Sequence, residues 1–288
     1  MALSRRRLLA VLAAAVASPA FAEDKLDAAR AALAEIERRD GGRLGVAVLD
    51  TGTSAFLGHR ESERFPMCST FKALAAAAVL QKVDRGLEKL GRRVPFGPAD
   101  MLEYAPVAKA HLTEGAMTVA EICAGAIAWS DNVAANLMLQ IIGGPPGFTA
   151  YARSLGDAAT RLDRNEPTLN ECKPGDERDT TSPRAMLESL REALLGEALS
   201  EVSRRQLADW LIGDKVGDKR LRAGLPPGWR VGDKTGTGDF GTANVVAILW
   251  PPGRAPILAT SYLTQSAGTP DQRNDVHKAV GEVIARSF

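Results

Sequence analysis

The sequence predicts an α/β lobe, built on an antiparallel sheet with flanking helices, that is interrupted by an inserted helical lobe. Strand-like segments lie near both ends of the 288-residue chain, and alanine-rich helical segments fill its middle. We expect residues 23–67 and 212–288 to form the α/β lobe and residues 68–211 to form the helical lobe. A cleft between two such lobes is a natural place for a ligand and predicts the position of the active site.

The first lobe opens with a helix and a strand. Apolar residues recur at helical spacing up to Gly41-Gly42, at Leu26, Ala29, Leu33 and Ile36. The alternation from Arg43 to Asp50 predicts a strand, and Thr51-Gly52 predicts the turn into a second strand.

The middle of the chain is predicted to be mostly helical. Helical segments are expected at 71–85, 118–129, 132–142 and 183–195. The polar, proline-containing stretch at about 161–179 has little periodicity and predicts a loop. Three strands and a closing helix are expected after it, at Trp229–Thr237, Thr242–Trp250, Ile257–Thr264 and Asp271–Phe288.

The N-terminus has the pattern of a secretory signal. Three arginines at 5–7 precede an apolar run at 8–17, and Ala20-Phe21-Ala22 offers a cleavage site. The run is too short to span a bilayer, and the arginine pattern also fits twin-arginine export. We therefore predict that residues 1–22 are a signal peptide and that the mature protein is periplasmic or secreted, without stable membrane association.

Charge and composition limit the partners and cofactors. The 36 basic and 35 acidic residues are spread along the chain, which argues against a nucleic-acid partner. Three cysteines are too few for a disulfide framework, and the three histidines lie far apart in sequence, which predicts no metal site. We expect no cofactor, and a monomer because no oligomerisation signal is visible.

Three short motifs carry candidate chemistry. Ser69-Thr70-Phe71-Lys72 places a serine and a lysine one turn apart at a helix N-terminus, where the helix dipole favours developing negative charge. Ser130-Asp131-Asn132 presents a hydroxyl and an amide between two helical segments, and Lys234-Thr235-Gly236 lies on a predicted strand. Taken alone, each motif has a structural explanation: a capped surface helix, an N-cap, or an edge-strand lysine before a glycine kink.

Together, in this order and at these separations, the motifs resemble those of serine β-lactamases and penicillin-binding proteins. A further segment, from Arg164 to Asn170, resembles the E-x-x-x-N of the Ω-loop in class A β-lactamases. The resemblance implies an ion pair between Arg164 and Asp179 that closes this loop, and proline permits a cis Glu166-Pro167 bond. The resemblance covers essentially the whole mature chain. It implies that the protein hydrolyses penicillins and cephalosporins and thereby confers antibiotic resistance.

The resemblance implies a role for each catalytic residue. Ser69 would attack the lactam carbonyl and pass its proton to Lys72, or through a water to Glu166, and the sequence leaves both bases open. Ser130 would relay a proton to the departing nitrogen, and Glu166 with Asn170 would activate the water that releases product.

The resemblance also implies the substrate-binding residues. The backbone N–H groups of Ser69 and Thr237 would form the oxyanion hole. The other expected substrate-binding residues are Asn132 for the side-chain amide, Tyr104 at the cleft mouth, and Lys234, Thr235, Gly236 and Thr237 along the strand that holds the carboxylate.

Two features depart from the family pattern. Many class A enzymes have an arginine on the strand after K-T-G, which supports the substrate carboxylate, but residues 241–244 contain none. We nominate Arg220 as the source of that charge, and Arg273 is a weaker candidate. The alternative is that Arg220 is a solvated arginine on a helix. Carbapenem-hydrolysing relatives bridge the cysteine at position 68 to a cysteine that is Gly238 here. That bridge cannot form, and carbapenem hydrolysis is therefore unsupported.

Three alternative functions fit the sequence less well. A D,D-peptidase shares the three motifs but has no need of Glu166 and Asn170. A β-lactam sensor domain should lack a deacylating base and be tethered to a membrane, and a metal-dependent lactamase needs ligands that are missing from the sequence.

Overall fold

A five-stranded antiparallel sheet positions both ends of the chain. Its strands are β1 Arg43–Asp50, β2 Phe56–His59, β7 Arg230–Gly238, β8 Thr242–Trp250 and β9 Ile257–Thr264. Their order in the sheet is β2-β1-β9-β8-β7. The predicted antiparallel sheet is therefore confirmed, and the predicted bounds of β1, β8 and β9 agree with the structure to the residue.

The structure is a computed structural model that describes the backbone of residues 19–288 and the side chains of residues 23–288. The predicted signal sequence therefore lies outside the described residues, apart from the backbone of its last four positions. Within the described part of the chain, none of the helices combines the length and the apolar character needed to cross a membrane.

Two terminal helices cover one face of the sheet. Helix α1 (Pro19–Asp40) and helix α9 (Pro270–Ser287) pack against each other and against β1, β8 and β9. Leu33 of α1 and Ile284 of α9 are fully buried in this layer. Burial of a leucine or isoleucine side chain stabilises the fold by about 1.5–3 kcal/mol, so this layer is a substantial second core.

Seven helices make up the middle of the chain. They are α2 Phe71–Asp84, α3 Pro106–Ala110, α4 Val119–Ala128, α5 Asn132–Ile142, α6 Gly144–Ser154, α7 Pro183–Leu194 and α8 Glu201–Ile212. Helix α2 lies at their centre, and its residues 71–80 are all buried. Four consecutive alanines at 75–78 let its neighbours approach closely, because alanine adds little volume beyond the backbone.

The helical layer packs directly on the second face of the sheet. Its core is continuous with Ala47, Val246, Leu258 and Tyr262 of the strands. Two short antiparallel pairs lie at its edges: β3 (Phe65–Pro66) with β6 (Thr180–Thr181), and β4 (Arg93–Pro95) with β5 (Ala116–Thr118). The first pair joins the strand that precedes the S-x-x-K motif to the end of the predicted loop.

Candidate active site

The nucleophile candidate lies on a tight turn ahead of the central helix. A 3₁₀ turn at Cys68–Thr70 leads into α2, and Cys68 has a left-handed backbone with φ of 46°. The hydroxyl of Ser69 donates to Oε1 of Glu166 at 3.1 Å. Nζ of Lys72 lies 3.0 Å from the same oxygen. One carboxylate oxygen therefore contacts both members of the S-x-x-K pair.

Lys72 is fully buried and surrounded by oxygen atoms. Its ammonium donates to the carbonyl of Ser130 at 2.8 Å and to Oδ1 of Asn132 at 2.7 Å. Burial lowers the pKa of Lys72, and the negative charge of Glu166 acts in the opposite direction. The ammonium of Lys72 therefore loses its proton more easily than that of an exposed lysine.

The S-D-N motif divides structural and chemical tasks between its residues. Asp131 is the N-cap of α5: it accepts from the amide of Ala134 at 2.8 Å and from the amides of Val107 and Ala108 on α3. The N-cap interpretation is thus right for Asp131. Ser130 has φ of 57°, and its hydroxyl accepts from Nζ of Lys234 at 3.1 Å. The hydroxyl of Ser130 therefore lies between the ammonium groups of Lys72 and Lys234.

Lys234 lies on edge strand β7, yet its side chain is fully buried. It is therefore not an exposed edge-strand lysine. Burial lowers its pKa to about 7, although the nearby charge of Asp214 favours the ammonium form. Burial and the charge of Asp214 raise the pKa of Asp233 to about 7, while its ion pair with Arg222 at 2.5 Å opposes the shift. The lysine thus lies near two buried carboxyl groups that resist simultaneous ionisation.

Gly217 allows the carboxyl groups of Asp214 and Asp233 to lie close together. A Cβ atom at Gly217 would lie 2.1 Å from Oδ2 of Asp233 and 2.4 Å from Oδ2 of Asp214. Sequence reasoning missed Asp214, because no short motif contains it. Its place directly after α8 and next to the lysine is set by the fold.

The Ω-loop is closed at its base by an ion pair. Nε of Arg164 donates to Oδ2 of Asp179 at 2.6 Å, and the backbone amides of Asp163 and Arg164 donate to Oδ1 of the same aspartate. The Glu166-Pro167 peptide bond is cis. The ion pair was expected from the resemblance, and the cis bond is the isomer that the proline permits.

Asn136 clamps the backbone of Glu166. Its amide nitrogen donates to the Glu166 carbonyl at 3.0 Å, and its Oδ1 accepts from the Glu166 amide at 2.9 Å. Oε2 of Glu166 accepts from Nδ2 of Asn170 at 2.5 Å. Sequence reasoning missed Asn136, although its position one helical turn after Asn132 places both on one face of α5 and could have indicated it.

We expect Asn136→Ala to lower the free energy of unfolding by about 2 kcal/mol, because two partly buried hydrogen bonds are lost. Urea denaturation measures this change. Gln140→Ala is the matched control, since Gln140 is exposed one turn further along α5. It should change the stability by less than about 0.5 kcal/mol. Equal effects of the two substitutions would contradict the clamp.

Arg220 is buried and faces the strand that carries K-T-G. Its guanidinium donates to the carbonyls of Gly236 and Asn244 at 2.6 Å each and to Oγ1 of Thr237 at 2.7 Å. At 8% exposure it is not a solvated helix arginine. Asn244, on the neighbouring strand β8, donates through its side-chain amide to the carbonyl of Pro66 at 2.9 Å.

These groups surround a cleft of about 300 Å³. Its lining consists of Ser69, Tyr104, Ser130, Asn132, Asn170, Val216, Arg220, Thr235, Gly236 and Thr237. Tyr104 stands at the rim and is half exposed, whereas Lys72, Glu166 and Lys234 are buried behind the lining. A Cβ atom at Gly236 would lie 2.8 Å from the carbonyl oxygen of Met67 and 3.2 Å from the amide nitrogen of Ser69, so glycine lets β7 approach the nucleophile. Val216 is a lining residue that sequence reasoning missed.

The three histidines lie elsewhere. His277 is buried between Ser261 and the carbonyl of Ala243, and burial lowers its pKa to about 3. His59 contacts Glu37, and His111 contacts Glu114. In the described residues, no three His, Cys, Asp or Glu side chains are grouped as metal ligands.

Comparisons with known proteins agree with the fold. The chain matches the β-lactamase enzyme family over residues 28–288. It is 46% identical to β-lactamase OXY-2 of Klebsiella oxytoca over 286 residues, which is 98% of each chain. It is also 46% identical to β-lactamase CTX-M-8 of Citrobacter amalonaticus, over 89% of this chain and 88% of that one.

A solved structure of an ancestral class A β-lactamase superposes with a TM-score of 0.89 at 58% identity, covering 90% of this chain and all of the other. A family match over most of the chain, close relatives at full length and a shared fold all agree. This chain therefore belongs to the β-lactamase enzyme family, and within it to class A.

Proposed function

We propose that this class A enzyme opens the lactam ring of penicillins and cephalosporins through an acyl-enzyme on Ser69, which a water activated by Glu166 then hydrolyses. The observation that carries the proposal is the position of one carboxylate. Oε1 of Glu166 lies 3.1 Å from the Ser69 hydroxyl, while Oε2 accepts from the amide of Asn170. A general base must lie within hydrogen-bond reach of the proton that it takes.

Acylation would begin with attack of Oγ of Ser69 on the lactam carbonyl. The proton of the hydroxyl can pass to Glu166, which it already contacts, or to Lys72, whose Nζ lies beside the same carboxylate oxygen. The lactam C–N bond then breaks, and the nitrogen takes a proton from Ser130, which lies between Lys72 and Lys234. The backbone N–H groups of Ser69 and Thr237 would stabilise the oxyanion, typically by about 3–4 kcal/mol for each donor.

Deacylation would use the amide and the carboxylate of the Ω-loop. Oδ1 of Asn170 is buried and has no hydrogen-bond partner among the residues that the structure describes, so it can accept a hydrogen bond from a water whose other proton goes to Glu166. The water oxygen attacks the ester carbon, the bond to Oγ of Ser69 breaks, and Ser69 recovers a proton. Asn136 and the Arg164–Asp179 ion pair would keep the base in place.

Substrate binding would follow the charges of the cleft. The substrate carboxylate would lie against Lys234, Thr235 and Thr237, with Arg220 behind Thr237 supplying a second positive charge. Asn132 would bind the side-chain amide, and Tyr104 would pack against the side chain at the rim. Gly236 keeps the strand close enough for these contacts.

The pKa of Lys234, about 7, predicts a pH dependence. The ammonium form binds a carboxylate, and it is lost as the pH rises through the pKa of the free enzyme. We therefore expect kcat/KM for benzylpenicillin to fall on the alkaline side, beginning near pH 7. A Lys234→Arg enzyme should move this limb to higher pH, since arginine stays charged. The pH profiles of kcat/KM for the two enzymes, measured side by side, test this, and coincident limbs would contradict it.

The cellular setting is part of the same proposal. Residues 1–22 would direct export, by the general or the twin-arginine route, and the mature monomer would act on β-lactams in the periplasm and confer resistance. Its partners would be small-molecule substrates, without nucleic acid and without stable membrane association.

Steady-state hydrolysis by the purified protein tests the function. We expect turnover of benzylpenicillin and of a cephalosporin, with the intact mass of the protein unchanged afterwards. A protein that retained the penicilloyl group would be a sensor or binder. One that cleaved a D-Ala-D-Ala peptide but turned over no lactam would be a peptidase. Either result would reject the proposal.

A further inference from the structure

Two cysteines from distant parts of the chain lie side by side next to the catalytic turn. The sulfur atoms of Cys68 and Cys172 are 3.3 Å apart, and both thiols are free. Both residues are buried, Cys172 at 5% exposure. Sulfur atoms in a disulfide are about 2.05 Å apart, so a shift of about 1 Å would join them.

A bond between these sulfurs would connect the two halves of the catalytic machinery. Cys68 directly precedes Ser69 and begins the 3₁₀ turn that carries it. Cys172 follows Asn170 by two residues and belongs to the Ω-loop that carries Glu166. In the reduced protein, non-covalent contacts among the described residues hold the nucleophile turn against this loop, and one of them is the hydrogen bond between Ser69 and Glu166.

Gly238 on β7 makes room for the pair. A Cβ atom there would lie 2.6 Å from the sulfur of Cys172 and 2.8 Å from the sulfur of Cys68. A larger residue would displace one or both thiols. Gly238 has no thiol that could bridge to Cys68. Because it also has no side chain, the thiol of Cys172 can lie next to that of Cys68.

Cys172 is the more exposed and the more reactive member of the pair, at 5% exposure against 0% for Cys68. It lines a surface cavity of about 330 Å³ together with Arg64 and Lys173. A hydrogen bond from the Cys68 thiol lowers the pKa of Cys172, and the hydroxyl of Thr242 adds to this. The same bond and burial raise the pKa of Cys68. The Cys172 thiolate is thus suited to attack, and the Cys68 thiol to resolve.

We propose that Cys68 and Cys172 form a reversible disulfide that clasps the Ω-loop to the nucleophile turn. With a small-molecule disulfide R–S–S–R as oxidant, Cys172 attacks one sulfur and releases one R–S⁻, which takes up a proton. Cys68 then attacks the sulfur of Cys172 in the mixed disulfide, and its proton leaves with the second R–SH. Two protein thiols are oxidised, and R–S–S–R is reduced to two R–SH. An oxidising compartment such as the periplasm favours the clasped form.

The test is oxidation of the purified, fully reduced protein with oxidised glutathione. We expect the intact mass to fall by about 2 Da and the non-reduced peptide map to show Cys68 linked to Cys172. The melting temperature should rise by roughly 5–10 °C, since the bond closes a loop of more than 100 residues, and dithiothreitol should reverse the rise. Hydrogen exchange at residues 161–179 should become slower.

Cys123→Ala is the matched control, because Cys123 is buried in helix α4 away from the pair. It should keep the mass loss and the rise in melting temperature, whereas Cys68→Ala and Cys172→Ala should lose both. Three free thiols in the oxidised wild type, or glutathione left on Cys172, would reject the disulfide. Formation of the bond with unchanged exchange in the loop would reject the clasp. These readouts need no lactam, so they stand apart from the test of hydrolysis.

Discussion

Glu166→Ala is expected to convert the enzyme into one that acylates and then stalls. Loss of the base should lower the rate of deacylation by about 10²–10⁴-fold, the range of general-base catalysis. Mass spectrometry after mixing with benzylpenicillin should therefore show a persistent penicilloyl adduct, and peptide mapping should place it on Ser69. The wild-type protein should remain unmodified while it consumes the substrate.

The control is a second acidic residue of the same loop. Glu177 is exposed and lies eleven residues beyond the proposed base, so Glu177→Gln should turn over benzylpenicillin at the wild-type rate. If the Glu166→Ala protein released product as fast as wild type, Glu166 would not be the deacylating base. If it formed no adduct at all, Glu166 would be needed for acylation, and Lys72 could not act there alone.

Lys234→Ala is expected to lower kcat/KM for benzylpenicillin by about 10²–10³-fold, mainly through a higher KM. The substitution removes a buried positive charge from the proposed carboxylate site, and the loss of one partner of a buried charge pair costs about 2–5 kcal/mol. It also removes the donor to the Ser130 hydroxyl, so a smaller decrease in kcat should accompany the change. Initial rates over a range of substrate concentrations separate the two effects.

Lys219→Ala provides the comparison, at a lysine next to Arg220 in the sequence. Its side chain is 76% exposed and pairs with the exposed Asp271, so kcat/KM should stay within a factor of about two. Similar losses for the two lysine variants would mean that general positive charge, and not a specific carboxylate contact, attracts the substrate.

The sequence patterns predicted the sheet well and the helical lobe less completely. Strands β1, β8 and β9 are long apolar segments bounded by turn residues, so their ends were visible. Helices α3, α6 and α8 were not predicted. Helix α6 opens with Gly144-Pro145-Pro146-Gly147, which is typical of a loop but is tolerated here because its prolines lie in the first turn.

The same limit applies to the cleft. The motifs located the groups that act on a substrate because motif spacing reflects local geometry, as with Ser69 and Lys72 on one helical turn. The residues that support them come from other segments. Asn136 reaches Glu166 across 30 positions and Cys172 reaches Cys68 across 104, and only the folded chain brings these pairs together.

The pairing of β1 with β9 has a consequence for how the protein is made. Arg43 lies opposite Thr264 and Asp50 lies opposite Ile257, so β1 needs β9, a strand that is synthesised much later, as its neighbour. Helix α1 likewise packs against α9, which ends at residue 287. An incomplete chain therefore carries an open sheet edge and an uncovered apolar face. The lobe therefore closes only after β9 and α9 have been synthesised, and until then the exposed edge and apolar face are prone to aggregation.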